Sequence, residues 1–562
     1  MTTLNFGPML NAYPDSVGGD LKGLIQVLQE PQMANTFSSF YILPSVFNSD
    51  LDRGFSVLDY GLNELTATQF DLEQLKDLGL DLKLDFVLNH LSVLSPQFQD
   101  MIEKGHESKY KDFFINWNEF WQGYGEMTPQ GYIQPDAIYL DKMFFRKPGL
   151  PILMVRFPDG SDQPYWNTFY NEVQYSRLVP SDVIRWTDLK YWAADVISQR
   201  VNQSLDAGIA PRDIDFTGFE AQQGQIVAYL EANRHYMGQM DLNLNSPLVW
   251  EFYEDTLAKL ASYGAKIVRL DAFAYAPKAP GEKNFMNEPE TWELLDKIKQ
   301  MAAVHGLSVL PEIHTSYAEK SHEIIADKGY LTYDFFLPGL LIDALESGES
   351  EHLAAWAQDI IEKDMKVVNM LGCHDGIPLL DLKGILSEER IAELINVVVS
   401  RGGYVKNLHG KKNLYYQVNA TYYSALGEDD QKMLLARALQ LFMPGKPQVW
   451  YLDLFLGKND HDAVARAGEG GHKEINRTNI SLEHAQSMLD NPTVQAQLRL
   501  LQFRQTNPAF NSDANVTVEH NGKEIILSWE YKGHTAVLTA DLAALSYHIV
   551  ARDANGAIVA EF

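Results

Sequence analysis

The stretch Lys266-Ile267-Val268-Arg269-Leu270-Asp271 decides the fold that this sequence predicts. An apolar run of this kind, ending at an ionisable residue, is typical of a strand buried on both faces. A second such run, at residues 307–310, leads through Pro311 to Glu312, which lies 41 positions after Asp271. One helical segment separates the two runs, so we expect Asp271 and Glu312 at the ends of neighbouring parallel strands.

Similar apolar runs recur outward from this stretch, and most of them are followed by a helical pattern. They lie at residues 9–13, 40–43, 82–88, 266–270, 307–310, 331–336, 366–371 and 448–451. Eight buried strands that alternate with helices predict an α/β fold, a (β/α)₈ TIM barrel. A doubly wound open sheet would show the same alternation, but the Gly-rich turn that usually follows its first strand is absent from Asn11-Ala12-Tyr13-Pro14. We therefore expect the barrel.

Two intervals are too long for ordinary barrel loops and predict added domains. Residues 91–247 follow the third strand as an enlarged domain B, and residues 376–427 follow the seventh strand as a second excursion, domain B′. The barrel then comprises residues 1–90, 248–375 and 428–507. Residues 508–562 predict a C-terminal antiparallel β domain, because alternating runs meet at the hairpin signals Asn521-Gly522 and Asn555-Gly556.

Composition and charge exclude several classes of partner. A chain of 562 residues with 46% hydrophobic content can bury a large core, and its formal net charge of −29 argues against nucleic acid or an anionic membrane. The lone Cys373 excludes an internal disulfide and a cysteine-based zinc site. The sequence has neither the pattern of a signal peptide at its start nor an apolar run of membrane-spanning length. We therefore predict a cytoplasmic enzyme with no membrane partner.

Polar side chains end several of the predicted strands and would converge on one face of the barrel. They are Asp85, Asn89 and His90 at the third strand, Glu312 and His314 at the fifth, and His374 and Asp375 at the seventh. Taken alone, Asp271 could be a structural partner of Arg269. Converging ionisable groups cost desolvation energy, however, so their joint presence favours function. A metal hydrolase is a weaker alternative because no His-x-x-x-His or Glu-x-x-His pair supports it at these strand ends. We predict no metal and no cofactor.

Three acids with histidines and an arginine suit glycosyl transfer with retention. One carboxylate attacks the anomeric carbon while a second protonates the leaving oxygen and later deprotonates the acceptor. We expect Asp271 to be the nucleophile, because Arg269 would keep its pKa low. Glu312 is the predicted acid/base, because its apolar neighbours would raise its pKa. Asp375 would hold sugar hydroxyls and stabilise the transition state.

Four ordered strings carry a resemblance to a known family. They are Asp85-Phe86-Val87-Leu88-Asn89-His90, Arg269-Leu270-Asp271-Ala272, Glu312-Ile313-His314 and His374-Asp375. In this order they resemble the signature regions of the α-amylase superfamily. Further strings, among them Asp271-Ala272-Phe273-Ala274-Tyr275, Tyr416-Gln417-Val418-Asn419 and Ile475-Asn476-Arg477, are most similar to its sucrose phosphorylase subfamily.

The resemblance implies a double displacement in which Asp271 takes an α-glucosyl group and inorganic phosphate then accepts it. It also implies a set of substrate-binding residues: Asp52, His90, Phe169, Arg269, Tyr275, His314, His374, Gln417 and Arg477. Phosphate and the acceptor would be bound by Arg146, Lys147 and Tyr416. Arginine suits this task because its planar fork binds phosphate oxygens bidentately.

The sequence departs from the family pattern at two places. Leu414 and Tyr415 precede Tyr416-Gln417 where sucrose phosphorylases carry an Asp, which removes a carboxylate from the acceptor side. An insertion at about 170–238 separates Phe169 from the string that begins at Gln239. Helical spacing at 186–201 and 226–235 predicts two helices in this insertion. It would serve as a lid or an oligomer contact, which allows a homodimer, or it would be a peripheral elaboration.

These observations predict a retaining glycoside phosphorylase with sucrose as the leading donor. Sucrose 6′-phosphate, glucosylglycerol and glucosylglycerate are alternatives within the same subfamily. An α-glucosidase or transglucosylase with the same three acids is a further alternative, and a non-catalytic carbohydrate-binding protein is the weakest one.

Overall fold

Eight parallel strands form the centre of the protein. The computed structural model describes residues 5–146, 149–407, 415–468 and 471–562. The strands are β1 (Met9–Ala12), β2 (Ser39–Ile42), β3 (Asp81–Val87), β4 (Ala265–Asp271), β5 (Ser308–Pro311), β6 (Thr332–Asp334), β7 (Val367–Met370) and β8 (Lys446–Trp450). They pair in the order β5-β4-β3-β2-β1-β8-β7-β6, so the barrel is nearly closed. All eight coincide with runs expected from the sequence, and the predicted barrel is confirmed.

Helices surround the barrel and alternate with its strands. The main ones are Leu21–Leu28 after β1, Gln69–Asp77 after β2, Pro247–Ser262 before β4, Glu290–Val304 after β4, Ser321–Asp327 after β5, Leu337–Ser347 and Glu351–Glu362 after β6, Glu388–Ser400 and Asp430–Phe442 after β7, and Pro492–Thr506 after β8. Local signals begin them: Thr68 and Asp71 form a reciprocal capping box at the second helix. Among the helices of the described residues, none combines the length and the apolarity needed to cross a membrane.

The inside of the barrel is filled partly by a polar layer beneath the strand ends. Lys83 of β3 is fully buried, and its Nζ donates to Gln448 Oε1 at 2.7 Å. The Tyr41 ring lies 3.8 Å from the same Nζ. Tyr41 also donates to Asp85 Oδ2 at 2.8 Å, and Asp85 lies two residues after Lys83 on β3. This layer holds Asp85 in place below the catalytic face.

Domain B follows β3 and adds small sheets and helices. Strand Arg234–Asp241 pairs with Asn171–Tyr175 and with His90–Ser92, so the end of this excursion returns to the barrel mouth. Three helices separate the strands Asn171–Tyr175 and Arg234–Asp241 in the chain: Pro180–Trp186, Tyr191–Asp206 and Glu220–Ala232. These helices share a hydrophobic core of their own.

Two helices were predicted for this insertion, and that prediction is wrong in detail. The run expected to form one helix at 186–201 is broken because Thr187 is extended, with φ −136° and ψ 162°. This break lets Trp186 stack on Tyr229 at 5.1 Å. His235 lies in a strand rather than in the second predicted helix, because residues 234–241 supply the ladder to the barrel.

The remaining excursions frame the other side of the barrel mouth. After β7 the chain forms a short 3-10 turn, Leu379–Leu382, and a two-stranded ribbon, Tyr404–Asn407 with Tyr415–Asn419.

After the last barrel helix, five antiparallel strands form the predicted C-terminal sheet: β9 (Asn515–His520), β10 (Glu524–Tyr531), β11 (His534–Asp541), β12 (Ser546–Arg552) and β13 (Ile558–Glu561). Trp529 anchors this sheet by donating to Phe442 O at 2.7 Å. The domain boundaries themselves stay a prediction.

Candidate active site

A cavity of about 150 Å³ opens at the carboxyl ends of the barrel strands. The predicted site residues that line it are Asp52, His90, Arg146, Phe169, Arg269, Asp271, Tyr275, Glu312, His314, His374 and Asp375. Strand polarity explains their convergence, because the carboxyl ends of all parallel strands of a barrel meet on one face. The three predicted catalytic acids therefore face one space.

Arg269 is the electrostatic centre of this site. Its guanidinium is almost fully buried, contacts Asp85, and lies 3.0 Å from Asp271 Oδ1 through Nη1. Its Nη2 lies 2.6 Å from Glu312 Oε1. One planar cation therefore holds the carboxylates of three adjacent strands in a fixed arrangement, as suits the rigid fork of arginine. Ala272, with φ 52°, turns the chain sharply after Asp271.

The protonation of the two central acids differs from the prediction. Burial, followed by the charge of Glu312, raises the pKa of Asp271 well above its usual range despite Arg269. Burial also acts to raise the pKa of Glu312, but Arg269 and His314 outweigh it and lower that pKa well below its usual value. The sequence-based expectation of a low pKa for Asp271 and a high one for Glu312 is therefore wrong. The apolar neighbours of Glu312 in the chain matter less than the cations that its carboxylate touches.

Asp375 is held ionised by cations from a distant part of the chain. Lys473 Nζ lies 2.8 Å from Asp375 Oδ1, and Arg477 Nη2 lies 3.7 Å from the same oxygen. Burial acts to raise the pKa of Asp375, but Lys473, His374 and Arg477 lower it well below its usual range. Asn476 donates to the Asp375 carbonyl at 2.6 Å. Asp375 is thus a rigidly held carboxylate that can accept hydrogen bonds.

Two histidines of the cavity, His90 and His374, contact Phe55. His90 Nε2 lies 3.1 Å from the Phe55 carbonyl, which can only accept, so Nε2 carries the proton. His374 stacks on the Phe55 ring at 5.2 Å. Burial lowers the pKa of His90 to about 4 and that of His374 to about 3. Neutral imidazoles can both donate to and accept from hydroxyl groups, as sugar recognition requires.

Aromatic rings and one arginine form the opposite wall. Phe169 lies 4.9 Å from His90 and 5.2 Å from Tyr275 between ring centroids. Arg146 lies over Phe169 at 4.8 Å and donates to Tyr275 Oη at 2.9 Å. The structure thus brings Arg146 to the cavity as predicted. Lys147 and Leu414 lie outside the described residues, as does the side chain of Tyr416.

Two predicted substrate-binding residues lie behind the cavity wall. Gln417 Oε1 accepts from Gly376 N at 3.1 Å. Arg477 Nε donates to the His374 carbonyl at 2.8 Å, and its Nη1 lies 3.5 Å from Asp52 Oδ1. Both side chains support the backbone around His374 and Asp375 rather than line the cavity.

Comparisons with known proteins identify the family. No family model matches the chain. The sucrose 6(F)-phosphate phosphorylase of Ilumatobacter coccineus is 48% identical over 550 residues, which cover 96% of this chain and 95% of the relative. The sucrose phosphorylase of Streptococcus mutans is 33% identical, and the alignment covers 97% of this chain and 97% of the relative. The chain belongs to the sucrose phosphorylase subfamily of the α-amylase superfamily.

Solved structures agree with this assignment. The crystal structure of sucrose 6F-phosphate phosphorylase from Thermoanaerobacter thermosaccharolyticum superposes with a TM-score of 0.81 at 31% identity, covering 100% of this chain and 98% of that one. An α-amylase from H. orenii has a TM-score of 0.59 at 16% identity and shares the fold. Like the relatives of the sucrose phosphorylase subfamily, the chain is a retaining glycoside phosphorylase, a hexosyltransferase of the α-amylase superfamily.

Sequence reasoning missed several residues of this site. Lys473 lines the cavity, and its position two residues before the string Ile475-Asn476-Arg477 was a usable signal. Arg53 anchors the turn that carries Asp52: its Nη1 donates to Arg477 O at 2.6 Å, and its Nη2 lies 3.0 Å from Asp15.

This anchor matters because the turn is strained. Asp52 and Arg53 have φ angles of 48° and 47°, a conformation that costs L-residues roughly 1–2 kcal/mol each. A Cβ at the next residue, Gly54, would lie 2.1 Å from Ser45 N, so only glycine fits there. Such strain persists only when the surroundings hold it, and here the contacts of Arg53 hold Asp52 at the cavity.

Buried Lys278 ties domain B to the barrel mouth. Its Nζ lies 2.7 Å from Asp241 Oδ2 and donates to Asn89 Oδ1 at 2.9 Å. Asp241 in turn accepts from the backbone N–H of Thr168 at 2.9 Å, next to Phe169. The sequence offered no signal for this contact, because its members lie far apart in the chain.

Among the described residues, two groups of side chains have the spacing of a metal site. Glu312, His314 and Asp375 bring atoms within 4.8 Å of one another, and so do His322, Glu323 and Asp359. In both groups positive side chains already contact the carboxylates: Arg269 and Lys473 in the first, Lys320 and Lys363 in the second. We therefore assign no metal to either group, and the absence of a cofactor stays a prediction.

Proposed function

We propose that this phosphorylase transfers an α-glucosyl group through Asp271 and that its preferred donor is sucrose 6F-phosphate. The observation that carries the mechanism is the buried Arg269 bridging Asp271 and Glu312. The relative that is 48% identical is a sucrose 6(F)-phosphate phosphorylase, which favours the phosphorylated donor over sucrose, the leading donor on sequence grounds. Arg146 and Lys473 add positive charge to the cavity, as a phosphorylated ligand requires.

The first chemical step is attack of Asp271 on the anomeric carbon. Glu312 protonates the departing glycosidic oxygen, and a glucosyl ester of Asp271 results. Burial raises the pKa of Asp271, whereas Arg269 and His314 lower that of Glu312, so the two carboxylates are strongly coupled. For this step the proton must lie on Glu312, with Asp271 ionised beside Arg269. The pair thus titrates as one unit.

The second step releases the glucosyl group to phosphate. Glu312, now ionised, takes the proton of the incoming phosphate while that oxygen attacks the same anomeric carbon from the vacated side, and the ester bond to Asp271 breaks to release its carboxylate. Two inversions give α-glucose 1-phosphate with net retention. Asp375 accepts hydrogen bonds from glucose hydroxyls, and its low pKa keeps it ionised throughout. His90 and His374 complete the glucose site as neutral donors and acceptors.

Arg146→Ala tests the acceptor side. A charge-assisted hydrogen bond contributes about 1.5–3 kcal/mol, so the KM for phosphate should rise roughly 10- to 100-fold. Hydrolysis of the donor in the absence of phosphate should change much less, because water needs no cation to bind it.

Initial rates at varied phosphate concentration, measured for the wild type and for Arg146→Ala, give the KM for phosphate and the rate of hydrolysis without phosphate. Lys142→Ala is the matched control, since exposed Lys142 lies in the same segment and, among the described residues, donates to the Gly281 carbonyl at 2.6 Å. An unchanged phosphate KM in Arg146→Ala would remove Arg146 from the acceptor site.

An acceptor panel tests the aglycone. The enzyme is supplied with α-glucose 1-phosphate and, separately, with fructose 6-phosphate, fructose, glycerol or glycerate, and phosphate release is measured. We expect release with fructose 6-phosphate to exceed that with fructose by at least about tenfold, since a site built for a charged group rejects a ligand that lacks it.

The other outcomes of the panel are equally decisive. Faster release with fructose would overturn the phosphorylated donor and return sucrose to first place. Release with none of the four, combined with hydrolysis of sucrose, would instead contradict phosphorolysis as the reaction. Binding of small glucosides and phosphate leaves the oligomeric state open, so a homodimer and a cytoplasmic location stay predictions from the sequence.

A further inference from the structure

His314 lies between two carboxylates at the edge of the cavity. Its Nε2 is 3.4 Å from Glu312 Oε1, and its Nδ1 is 3.2 Å from Asp381 Oδ2. The ring stacks on Phe335 at 3.9 Å with an interplanar angle of 23°, which fixes its orientation. Its side chain is only 9% exposed, and that of Asp381 is 10% exposed.

This geometry determines the charge of the imidazole. A neutral imidazole donates from one nitrogen and accepts at the other, whereas an ionised carboxylate can only accept. While both neighbouring carboxylates are ionised, each can only accept, so both nitrogens carry a proton and His314 is an imidazolium. Burial acts to lower the pKa of His314, but the hydrogen bonds to Asp381 and Glu312 raise it to about 10.

The charges around this pair come from several elements. Glu312 extends from β5, and its carboxylate also contacts Arg269 of β4. Asp381 lies in the 3-10 turn Leu379–Leu382 of the excursion after β7. Burial raises the pKa of Asp381, and the contact with His314 acts to lower it. The negative charge of Glu319, in the turn Tyr317–Glu319, raises the pKa of Asp381 by a smaller amount. Asp381 is thus the charge that faces Nδ1, on the side away from the acid/base.

We propose that Asp381 is a positioning residue that keeps His314 doubly protonated, so that the imidazolium orients the acid/base Glu312 through a charge-assisted hydrogen bond. The proposal rests on the role of Glu312 given above. It assigns to the excursion after β7 a direct influence on the proton-transfer step, through a residue that is separated from the cavity by His314.

Asp381→Asn tests the proposal through the pH dependence of donor consumption. Without the carboxylate at Nδ1, the pKa of His314 should fall toward its ordinary value of about 6.5. Below that pH the imidazole is still charged, and the variant should approach the wild-type kcat/KM. Above it Glu312 loses its charged partner, and the kcat/KM should be roughly 10- to 100-fold lower. The ratio of wild type to variant should therefore rise with pH through one ionisation.

Two further variants separate this effect from loss of structure. Asp343→Asn is the matched control, because Asp343 is buried and pairs with His352 at 2.9 Å and with Arg390 at 2.6 Å, away from the cavity. Its ratio to wild type should not vary with pH. His314→Gln removes the titrating group, so its loss should be the same at every pH, and Asp381→Asn added to it should change nothing further.

A flat ratio for folded Asp381→Asn, or wild-type kcat/KM in His314→Gln, would overturn the proposal. If Asp381→Asn does not fold, the His314→Gln result alone decides. Failure of the acid/base assignment would show separately, as full activity of Glu312→Gln. Donor consumption is measured in all cases, so the identity of the aglycone does not affect the outcome.

Discussion

Asp271→Asn is expected to lower the kcat/KM for donor consumption by on the order of 10⁵-fold, since loss of a catalytic nucleophile removes a covalent step that no neighbouring group replaces. Glu312 cannot substitute, because it is held by Arg269 and His314 in the acid/base position. The amide keeps the size of the side chain, so the cavity should stay intact. Initial rates of phosphorolysis and of hydrolysis should fall together.

A second measurement checks the covalent step directly. Acid quenching of the wild type with donor and no phosphate should leave one glucosyl unit on the peptide that contains Asp271, and the variant should show none. Asp255→Asn is the control, because Asp255 is exposed on helix Pro247–Ser262. Phosphorolysis by Asp271→Asn at a rate within tenfold of wild type would contradict its assignment as nucleophile.

Glu312→Gln should lower the kcat/KM for sucrose-type donors by about 10²- to 10⁴-fold, the usual contribution of a general acid. The loss should depend on the leaving group. α-Glucosyl fluoride needs no protonation to depart, so formation of the glucosyl ester from it should be nearly unaffected, and the ester should then accumulate because the general base for phosphate is also missing. Stopped-flow rates with the two donors measure this difference.

Equal losses for sucrose-type donors and for α-glucosyl fluoride would remove Glu312 from the acid/base role. Glu254→Gln provides the comparison, since Glu254 is half-exposed and pairs only with His305 at 2.7 Å among the described contacts. Its activity should equal that of the wild type with both donors.

The order of the barrel strands was predictable because burial of a strand requires apolar residues along its whole length. Strands covered on both faces must be apolar throughout, so β4 and β5 were recognisable from residues 266–270 and 307–310 alone. The insertion was harder to predict. Its helices pack on one another as a small separate core, and a single extended residue, Thr187, divided what looked like one periodic run.

The order and identity of the acids determined the chemistry, and both are properties of the sequence by itself. Asp271, Glu312 and Asp375 stand at strand ends, and in a barrel those ends share one face whatever the details of packing. Their proton affinities were decided only by the tertiary structure. A pKa depends on charges within a few ångströms, and those charges come from distant parts of the chain: Lys473 at Asp375, and Arg269 at Glu312. That is why the neighbours of Glu312 in sequence predicted a high pKa and its neighbours in space give a low one.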